Sequence, residues 1–260
     1  MTTTTLMRLL GPPLFLLLFL AIWQGAVVWF QIPSFLLPSP KEVFHEAIAS
    51  NAKILSALEV TATASTLGLL ISFAVSQIIS VIFALSPLVR MSCYPYAILL
   101  QTVPIVAMAP IIITWFGYGF PSVVIVASVI SLFPMVTATT NGLLAVDPEL
   151  IELFRLYRAQ WWQVLLKLRY PAATRFIITG LKTSCGLAVV GAIVGEYFVG
   201  VTTGKQGLGY YIFVTGQQMK TSLLYVTVLA STLLGVTFFG LINLLANTLL
   251  KRYYDPTSMK

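Results

Sequence analysis

Residues 147–173 read DPELIELFRLYRAQWWQVLLKLRYPAA and carry a dense group of acidic and basic side chains. The rest of the chain is strongly apolar: 58% of its 260 residues are hydrophobic and 9% are charged, with a mean hydropathy of +0.93. Soluble domains carry about 25% charged residues. The sequence therefore predicts an integral membrane protein whose charged stretch lies in water.

Six runs almost free of charge lie on the two sides of this stretch. Each is long enough for a helix to cross about 30 Å of hydrocarbon, and none shows the alternation of a β-barrel strand. We therefore predict an all-α polytopic membrane protein with one domain over residues 1–260 and a charged loop over about 147–173. The six predicted transmembrane helices are about 9–31, 60–86, 94–117, 121–145, 176–200 and 222–250.

Basic residues predict the orientation, because cytoplasmic loops are enriched in Lys and Arg. Ten lie on one side of the predicted spans and four on the other, so we expect both termini and the charged stretch in the cytoplasm. The larger set is Arg8, Arg90, Arg155, Arg158, Lys167, Arg169, Arg175, Lys251, Arg252 and Lys260. The smaller set is Lys41, Lys53, Lys205 and Lys220. Residues 32–59 then form an external connection with a short surface helix.

Within residues 147–173 the apolar side chains recur with the period of an α-helix. Asp147 followed by Pro148 is typical of a helix N-cap with proline at the first helical position. The apolar stripe is Leu150, Leu153, Phe154, Tyr157, Trp161, Val164, Leu165 and Leu168. Because a shorter connection would cost less ordering entropy, such a helix indicates a surface that docks a partner. A helix lying in the lipid headgroups is the alternative.

Motifs for catalysis or metal binding are missing from the sequence. Cys93, Cys185 and the single histidine, His45, lack the spacing of a metal site. GVTTGK at 200–205 has three residues between its glycines where a phosphate-binding loop has four, and Gln206 follows where Ser or Thr would bind magnesium. We predict no catalytic residue, no metal and no ATPase site in this chain.

Three prolines in the third run, Pro95, Pro104 and Pro110, bend a helix or open space for a pathway. Polar side chains near such a bend can contact a solute, or can bond neighbouring helices to one another. Lys182 and Glu196 are the charged residues inside the predicted spans, both near span ends, and Lys182 can snorkel inward. The candidate path residues are Gln101, Thr114, Trp115, Thr137, Thr140, Asn141 and Glu196.

Gly191 and Gly195 form a small-x-x-x-small pair in the fifth run. Such a pair allows two helices to approach closely. The contact lies either at the seam of a dimer or between spans of one subunit.

Glu152, six residues, Ala159, an apolar run and YPAA follow one another in an order that resembles a known signature. It is the cytoplasmic signature of permease subunits of ATP-binding-cassette importers, with a Glu-Ala-Ala start, a central glycine and a late proline. The matching positions are Glu152, Leu153, Phe154, Arg158 and Pro171. The resemblance continues through LLPSP (36–40), VPIVAMAPIIITWFGYG (103–119), FPMVTATTNGLLAVDPEL (133–150), GAIVGEYFVG (191–200) and GLGYYI (207–212).

This resemblance implies a homodimer in the bacterial-type plasma (inner) membrane, in which each copy inserts its cytoplasmic loop into a groove of an ATPase subunit. An external or lipid-anchored binding protein would deliver the solute. This chain would hold no cofactor, because ATP and Mg would belong to the two partner ATPases; no nucleic acid is involved. The resemblance implies that ATPase coupling falls to Glu152, Phe154, Arg155, Tyr157, Arg158, Ala159, Trp161 and Pro171.

The chain departs from the signature at its Ala-Ala pair, which is Leu153-Phe154, and at its central glycine, which is Arg158. Glycine serves where the backbone takes a positive φ, and another residue there costs on the order of 1 kcal/mol. Either the turn is helical enough to accept Arg158, or the docking geometry differs.

We predict a permease that works by alternating access. By resemblance its solute is of the nitrate, sulfonate, taurine, bicarbonate or heteroaromatic vitamin-precursor type. A membrane scaffold that docks a non-transport partner is the first alternative. A secondary carrier is the second, but the sequence shows no inverted repeat and no carboxylate cluster for a coupling ion. Copurification of an ATPase separates the permease from both.

Overall fold

The computed structural model describes residues 3–200 and 204–254, and every element in these ranges is helical, as the all-α prediction requires. Lys260 and the centre of GVTTGK lie outside the described residues, as do the side chains of Arg8, Lys251 and Arg252. The elements are α1 (Thr3–Trp29), α2 (Pro40–Ala49), α3 (Asn51–Leu85), α4 (Pro87–Leu100), α5 (Ile105–Phe116), α6 (Phe120–Leu144), α7 (Pro148–Leu156), α8 (Trp161–Val164), a π-helical segment (Leu165–Arg169), α9 (Tyr170–Val199), α10 (Leu208–Gln217) and α11 (Thr221–Tyr254).

Four helical stretches are long and apolar enough to cross a bilayer. They are Asn51–Leu85, Phe120–Leu144, Trp161–Val199 and Thr221–Ala246. Two shorter apolar helices, Pro13–Trp29 and Val106–Phe116, fall within the first and third predicted spans. Within the described residues the structure thus supplies four helices of spanning length, and the count of six spans stays a prediction.

The predicted third span, 94–117, consists of two helices rather than one bent helix. Helix α4 ends at Leu100 and α5 begins at Ile105. Pro104 has no N–H to donate and disfavours helical geometry at Val103, so the first helix ends before it. Pro95 and Pro110 lie inside α4 and α5. Because the 12 residues of α5 rise about 18 Å, α5 alone does not cross the hydrocarbon.

Helices α3, α6 and α9 form the centre of the bundle and pack through glycines. A Cβ atom added at Gly191 would lie 2.8 Å from the Cα of Ala127, and one at Gly195 would lie 3.1 Å from the Cα of Val123. The predicted small-x-x-x-small pair therefore joins α9 to α6 within one subunit. Equivalent close approaches occur at Gly68, Gly142 and Gly180. Without hydrophobic force between helices in lipid, such backbone proximity supplies the packing energy.

Helix α2 is the short helix predicted for the external connection. Ser39 caps it: the Ser39 Oγ accepts from the N–H of Glu42 at 3.3 Å, and the Glu42 carboxylate accepts from the N–H of Ser39 at 2.8 Å. This reciprocal pair satisfies two backbone N–H groups that have no partner within the helix. The capping box and Pro40 at the first turn explain why the helix begins there.

The predicted inside and outside charges lie near opposite ends of α3. Lys53 belongs to its first turn, and the ammonium of Lys205 lies 3.9 Å from the carboxylate of Glu59. At the other end, the guanidinium of Arg169 donates to the carbonyl of Ala84 at 2.7 Å. The two groups of charges are thus separated along α3, and which end faces the cytoplasm stays a prediction.

The packing of α6 on α9 predicts different effects for two alanine substitutions in α9. Gly191→Ala would force the two backbones apart and lower the free energy of unfolding by about 1–3 kcal/mol. Gly186→Ala meets no atom within 4 Å and should leave stability unchanged or slightly raised, because alanine favours the helix. Thermal unfolding of the two variants in detergent measures the difference. Equal unfolding temperatures would contradict the close contact.

Candidate functional site: the charged loop and a polar groove

Helix α7 begins as the sequence predicts, since the Asp147 carboxylate accepts from the N–H of Glu149 at 3.1 Å and Pro148 follows at the first position. Its apolar side chains do not pack into the bundle. Leu156 is 81% exposed and Tyr157 is 80% exposed. Leu156 lies off the predicted stripe, whose exposed members are Leu150, Leu153, Tyr157 and Trp161. This exposed apolar surface agrees with either of the two predicted contacts, a partner protein or the lipid headgroups.

Helix α7 ends at Leu156, and the backbone turns at Arg158. The apolar stripe predicted to run through to Leu168 is therefore interrupted there. Arg158 has φ 52°; its N–H donates to Arg155 O at 2.9 Å, and the N–H of Ala159 donates to Phe154 O at 3.0 Å. This pattern is a Schellman motif, which usually places glycine at the left-handed residue. The idea that the turn is helical enough for Arg158 is therefore wrong. The motif also explains why the signature has glycine here.

Two other helices of the described chain end in the same way. Gln31 and Met219 have φ values of 49° and 54°, and each is followed by the backbone hydrogen bonds of a Schellman motif. The left-handed residue at Arg158 is thus one of three such ends in the described chain. Each costs about 1 kcal/mol relative to glycine.

The second arm of the loop runs directly into α9. The N–H of Gln160 donates to the side chain of Gln163 at 2.8 Å and starts α8. Helix α8, the π-helical segment and α9 form one continuous helix over Trp161–Val199. Pro171 lies in its first part, where the N–H of Tyr170 bonds Leu165 O in the π-helical pattern. The second arm of the loop is therefore the first part of the helix that contains α9.

The base of the loop is attached to the bundle by packing and by one hydrogen bond. Leu165 is buried against Ala84, Leu143 and Ala173. The Arg169 guanidinium donates to the carbonyl of Ala84 at the C-terminal end of α3, where the helix dipole favours a positive charge. The loop thus joins α3, α6 and α9.

The charges on the tip of the loop are exposed. Glu152, Arg155 and Arg158 make no ion pair with described residues, among which Lys205–Glu59 is the pair found within 4.0 Å. Exposed charges of both signs beside exposed aromatic rings suit recognition of a charged protein surface.

A polar groove lies at the break between α4 and α5. The Gln101 amide donates to the Thr137 hydroxyl at 2.8 Å, and the Tyr94 hydroxyl donates to the Asn141 side chain at 3.1 Å. Beside Gln101 is a cavity of about 320 Å³ between the break, α6 and α9. Its lining is Leu100, Gln101, Val103, Met108, Val129, Ile130, Phe133, Pro134, Thr183 and Leu187.

The structure brings together some of the predicted path residues and separates others. Gln101, Thr137 and Asn141 lie along the groove. Thr114 and Trp115 are exposed near the other end of α5. Thr140 is fully buried, and its hydroxyl has no partner among the described residues. Glu196 is 1% exposed and bonds to other helices.

Sequence reasoning missed Tyr94, Phe133 and Thr183, which border the groove. They come from three helices, and no local pattern places them together. The prolines gave the one usable signal, because Pro104 makes the break.

Among the described residues, none that lines this cavity is charged. Lys182, which precedes the lining residue Thr183, donates from its ammonium to the Asn243 side chain on α11 at 2.6 Å. The snorkelling of Lys182 stays a prediction, and its ammonium has this hydrogen-bond partner on α11.

Several transport permeases are similar to this chain over most of their length. The chain is 31% identical over 242 residues to the formylaminopyrimidine transport permease protein ThiX of Halalkalibacterium halodurans, covering 93% of this chain and 95% of that protein. It is 32% identical over 245 residues to the riboflavin transport system permease protein RibX of Chloroflexus aurantiacus, covering 93% and 90%. A probable ABC transporter permease protein of Haemophilus influenzae is 30% identical over 222 residues, covering 85% and 89%.

The fold is that of a known transporter. A chain of the MetNI methionine ABC transporter, solved in an inward-facing conformation, matches with a TM-score of 0.64 at 15% identity, covering 79% of this chain and 98% of that one. Residues 76–255 match the family model described as the binding-protein-dependent transport system inner membrane component. The chain therefore belongs to this family and is the permease of an ABC importer.

Proposed function

We propose that two copies of this chain form the translocation path of an importer that moves a small neutral heteroaromatic solute by alternating access. Two separate cytoplasmic ATPase subunits hold ATP and Mg, and an external or lipid-anchored binding protein delivers the solute. Both termini lie in the cytoplasm. Membership of the importer family argues against the two alternatives, a membrane scaffold and a secondary carrier.

One observation carries the coupling part of the proposal: the exposed loop is continuous with α9. When ATP brings the two ATPases together, the loops seated on them move, and each loop carries α9 with it. Helix α9 packs on α6 through Gly191 and Gly195, so the movement passes to the helices that border the groove. The coupling residues of the loop are Glu152, Phe154, Arg155, Tyr157, Arg158, Ala159, Trp161 and Pro171.

The groove supports a neutral solute. Nitrate and sulfonate carry charge that proteins usually bind with Arg or Lys, whereas this cavity offers an amide, a hydroxyl and an aromatic ring from Gln101, Thr183 and Phe133. Hydrogen-bonding edges and a flat face are the features of a heteroaromatic ring. The pyrimidine and riboflavin named for two relatives belong to this class.

We propose Gln101, Thr137 and Asn141 as path residues, with Thr114 and Trp115 toward the outer opening. Thr140 supports them from the interior. Glu196 receives a different role below, because both its hydrogen bonds lead away from the groove.

The docking proposal predicts that Tyr157→Ala weakens retention of the ATPase by about tenfold or more, because buried aromatic anchors dominate interface energies. Tyr118→Ala is the matched control, since Tyr118 is 81% exposed in the turn between α5 and α6. Copurification and ATPase activity of the complex measure both. Equal retention of the ATPase by the two variants would argue against docking through the loop.

Arg158 allows the backbone and the charge to be tested separately. Arg158→Gly should raise the free energy of unfolding by about 1 kcal/mol, because glycine accepts a positive φ. It should also weaken ATPase binding roughly tenfold, if the guanidinium bonds a carboxylate on the partner.

Met219→Gly is the control for the backbone effect, because it relieves the same conformation at the end of α10 without touching the loop. Both variants are compared by thermal unfolding and by copurification. ATPase binding that survives Arg158→Gly intact would show that the guanidinium has no role in docking.

The solute proposal predicts that Gln101→Leu lowers uptake by roughly three- to tenfold, the effect of one lost hydrogen bond. Thr102→Ala, at the neighbouring exposed residue that does not line the cavity, should have little effect. Uptake is measured in proteoliposomes with the binding protein, using riboflavin, a formylaminopyrimidine, nitrate and an alkanesulfonate as probes. Transport of the two anions but neither ring compound would overturn the assignment of solute class.

A further inference from the structure

Glu196 belongs to a buried hydrogen-bonded cluster that joins three helices. Its Oε2 atom accepts from the Thr61 hydroxyl of α3 at 2.8 Å and from the backbone N–H of Gly209 in α10 at 2.9 Å. The same hydroxyl oxygen accepts from the N–H of Leu208 at 2.9 Å. Glu196 is 1% exposed and Thr61 is fully buried. We call these two side chains the α10 clamp.

The clamp supplies what the first turn of α10 lacks. The first N–H groups of a helix have no partner within the helix, and here two of them are satisfied by side chains from α3 and α9. A carboxylate at a helix N-terminus is also favoured by the helix dipole. The clamp therefore fixes where α10 begins.

Glycines make this approach possible. A Cβ atom added at Gly207 would overlap the carboxylate of Glu196, and one at Gly209 would overlap the carbonyl oxygen of Ile193. The GLG sequence at 207–209 is thus explained by the contact of α10 with the outer turn of α9.

Residues next to Glu196 connect α10 to the helices that border the groove. The ring of Tyr197 lies 5.0 Å from that of Phe213 in α10, and 5.3 Å from that of Phe198, between centroids. Phe198 in turn packs against two clusters of buried residues, one from α5 and α6 and one from α3, α5, α6 and α9. Glu196 therefore bonds to α3 and α10, the ring of Tyr197 contacts α10, and Phe198 packs against clusters that include α5 and α6.

We infer that Glu196 and Thr61 are positioning residues for transport, which hold α10 to α9 so that a load on the outer face reaches α5 and α6. If packing were the only task of this site, apolar side chains would fill it. A buried carboxylate is costly in a membrane bundle, so its presence favours a functional role. The inference rests on the proposed function, because it assigns the load to docking of the binding protein.

Hydrogen exchange of the purified complex tests the positioning. Glu196→Ala and Thr61→Val should each raise exchange at the amides of 208–209 by about tenfold, the effect of one lost hydrogen bond to a charged or polar group. Glu196→Gln should preserve protection, since its amide oxygen still accepts from both donors. Ser65→Ala is the control, because Ser65 is equally buried on α3 but bonds within its own helix. Unchanged exchange in both Glu196→Ala and Thr61→Val would overturn the clamp.

ATPase activity with and without the loaded binding protein tests the role in transport. Glu196→Ala should keep the basal rate and lose most of the stimulation, and Glu196→Gln should restore it. A structural role alone would leave the ratio of stimulated to basal rate unchanged, and that result would overturn the inference. If no ATPase copurifies with the parent chain, the proposed function fails instead, and exchange on the permease alone still decides whether the clamp holds α10.

Discussion

Helices α6 and α9 lie so close together that no side chain fits between them at several points, and the remaining helices are arranged around this contact. In lipid, the helix faces are solvated as well by acyl chains as by each other, so association depends on packing at short range. Gly142, Gly180, Gly191 and Gly195 provide it along nearly the whole length of α9. Helix α3 joins at Gly68. The helices α4, α5 and α11 are more exposed and lie around this centre. Movement is expected to be easiest in these outer helices, because they have fewer buried contacts.

In the proposed coupling, the same contact makes α9 the link between the two surfaces. The continuous helix Trp161–Val199 has 39 residues and rises about 58 Å, more than the thickness of the hydrocarbon. Its first turns are part of the charged loop, anchored by Leu165 and Arg169, and its last turn carries Glu196. In the coupling proposed above, α6 moves with α9 because the two helices pack through backbone atoms, and one wall of the groove moves with α6.

Sequence reasoning predicted the parts of this arrangement that depend on local chemistry. The membrane helices follow from apolar length, the start of α7 from Asp147 and Pro148, and the close packing of α9 from its spaced glycines. The break at 101–104 was expected as a bend, because a proline in the sequence does not show whether the helix bends or ends there. The end of α7 was missed, because the rule for left-handed residues looks for glycine and the chain places Arg158 there. The partners of Glu196 were out of reach: Thr61 lies 135 residues away, and that pairing is a property of the folded bundle.

The charged side chains of the described residues lie away from the groove. Basic and acidic side chains collect on the two surfaces, while Lys182 and Glu196, the charged residues inside the bundle within the described ranges, each bond a helix that does not line the groove. A charge facing the cavity would bind a counter-charged solute strongly in a low dielectric and slow its release. In the proposal made above, a neutral lining of one amide, one hydroxyl and apolar groups holds a solute weakly enough to leave when the helices rearrange. Selection of the solute would then belong to the protein that delivers it, and the permease would contribute passage and its timing through α9.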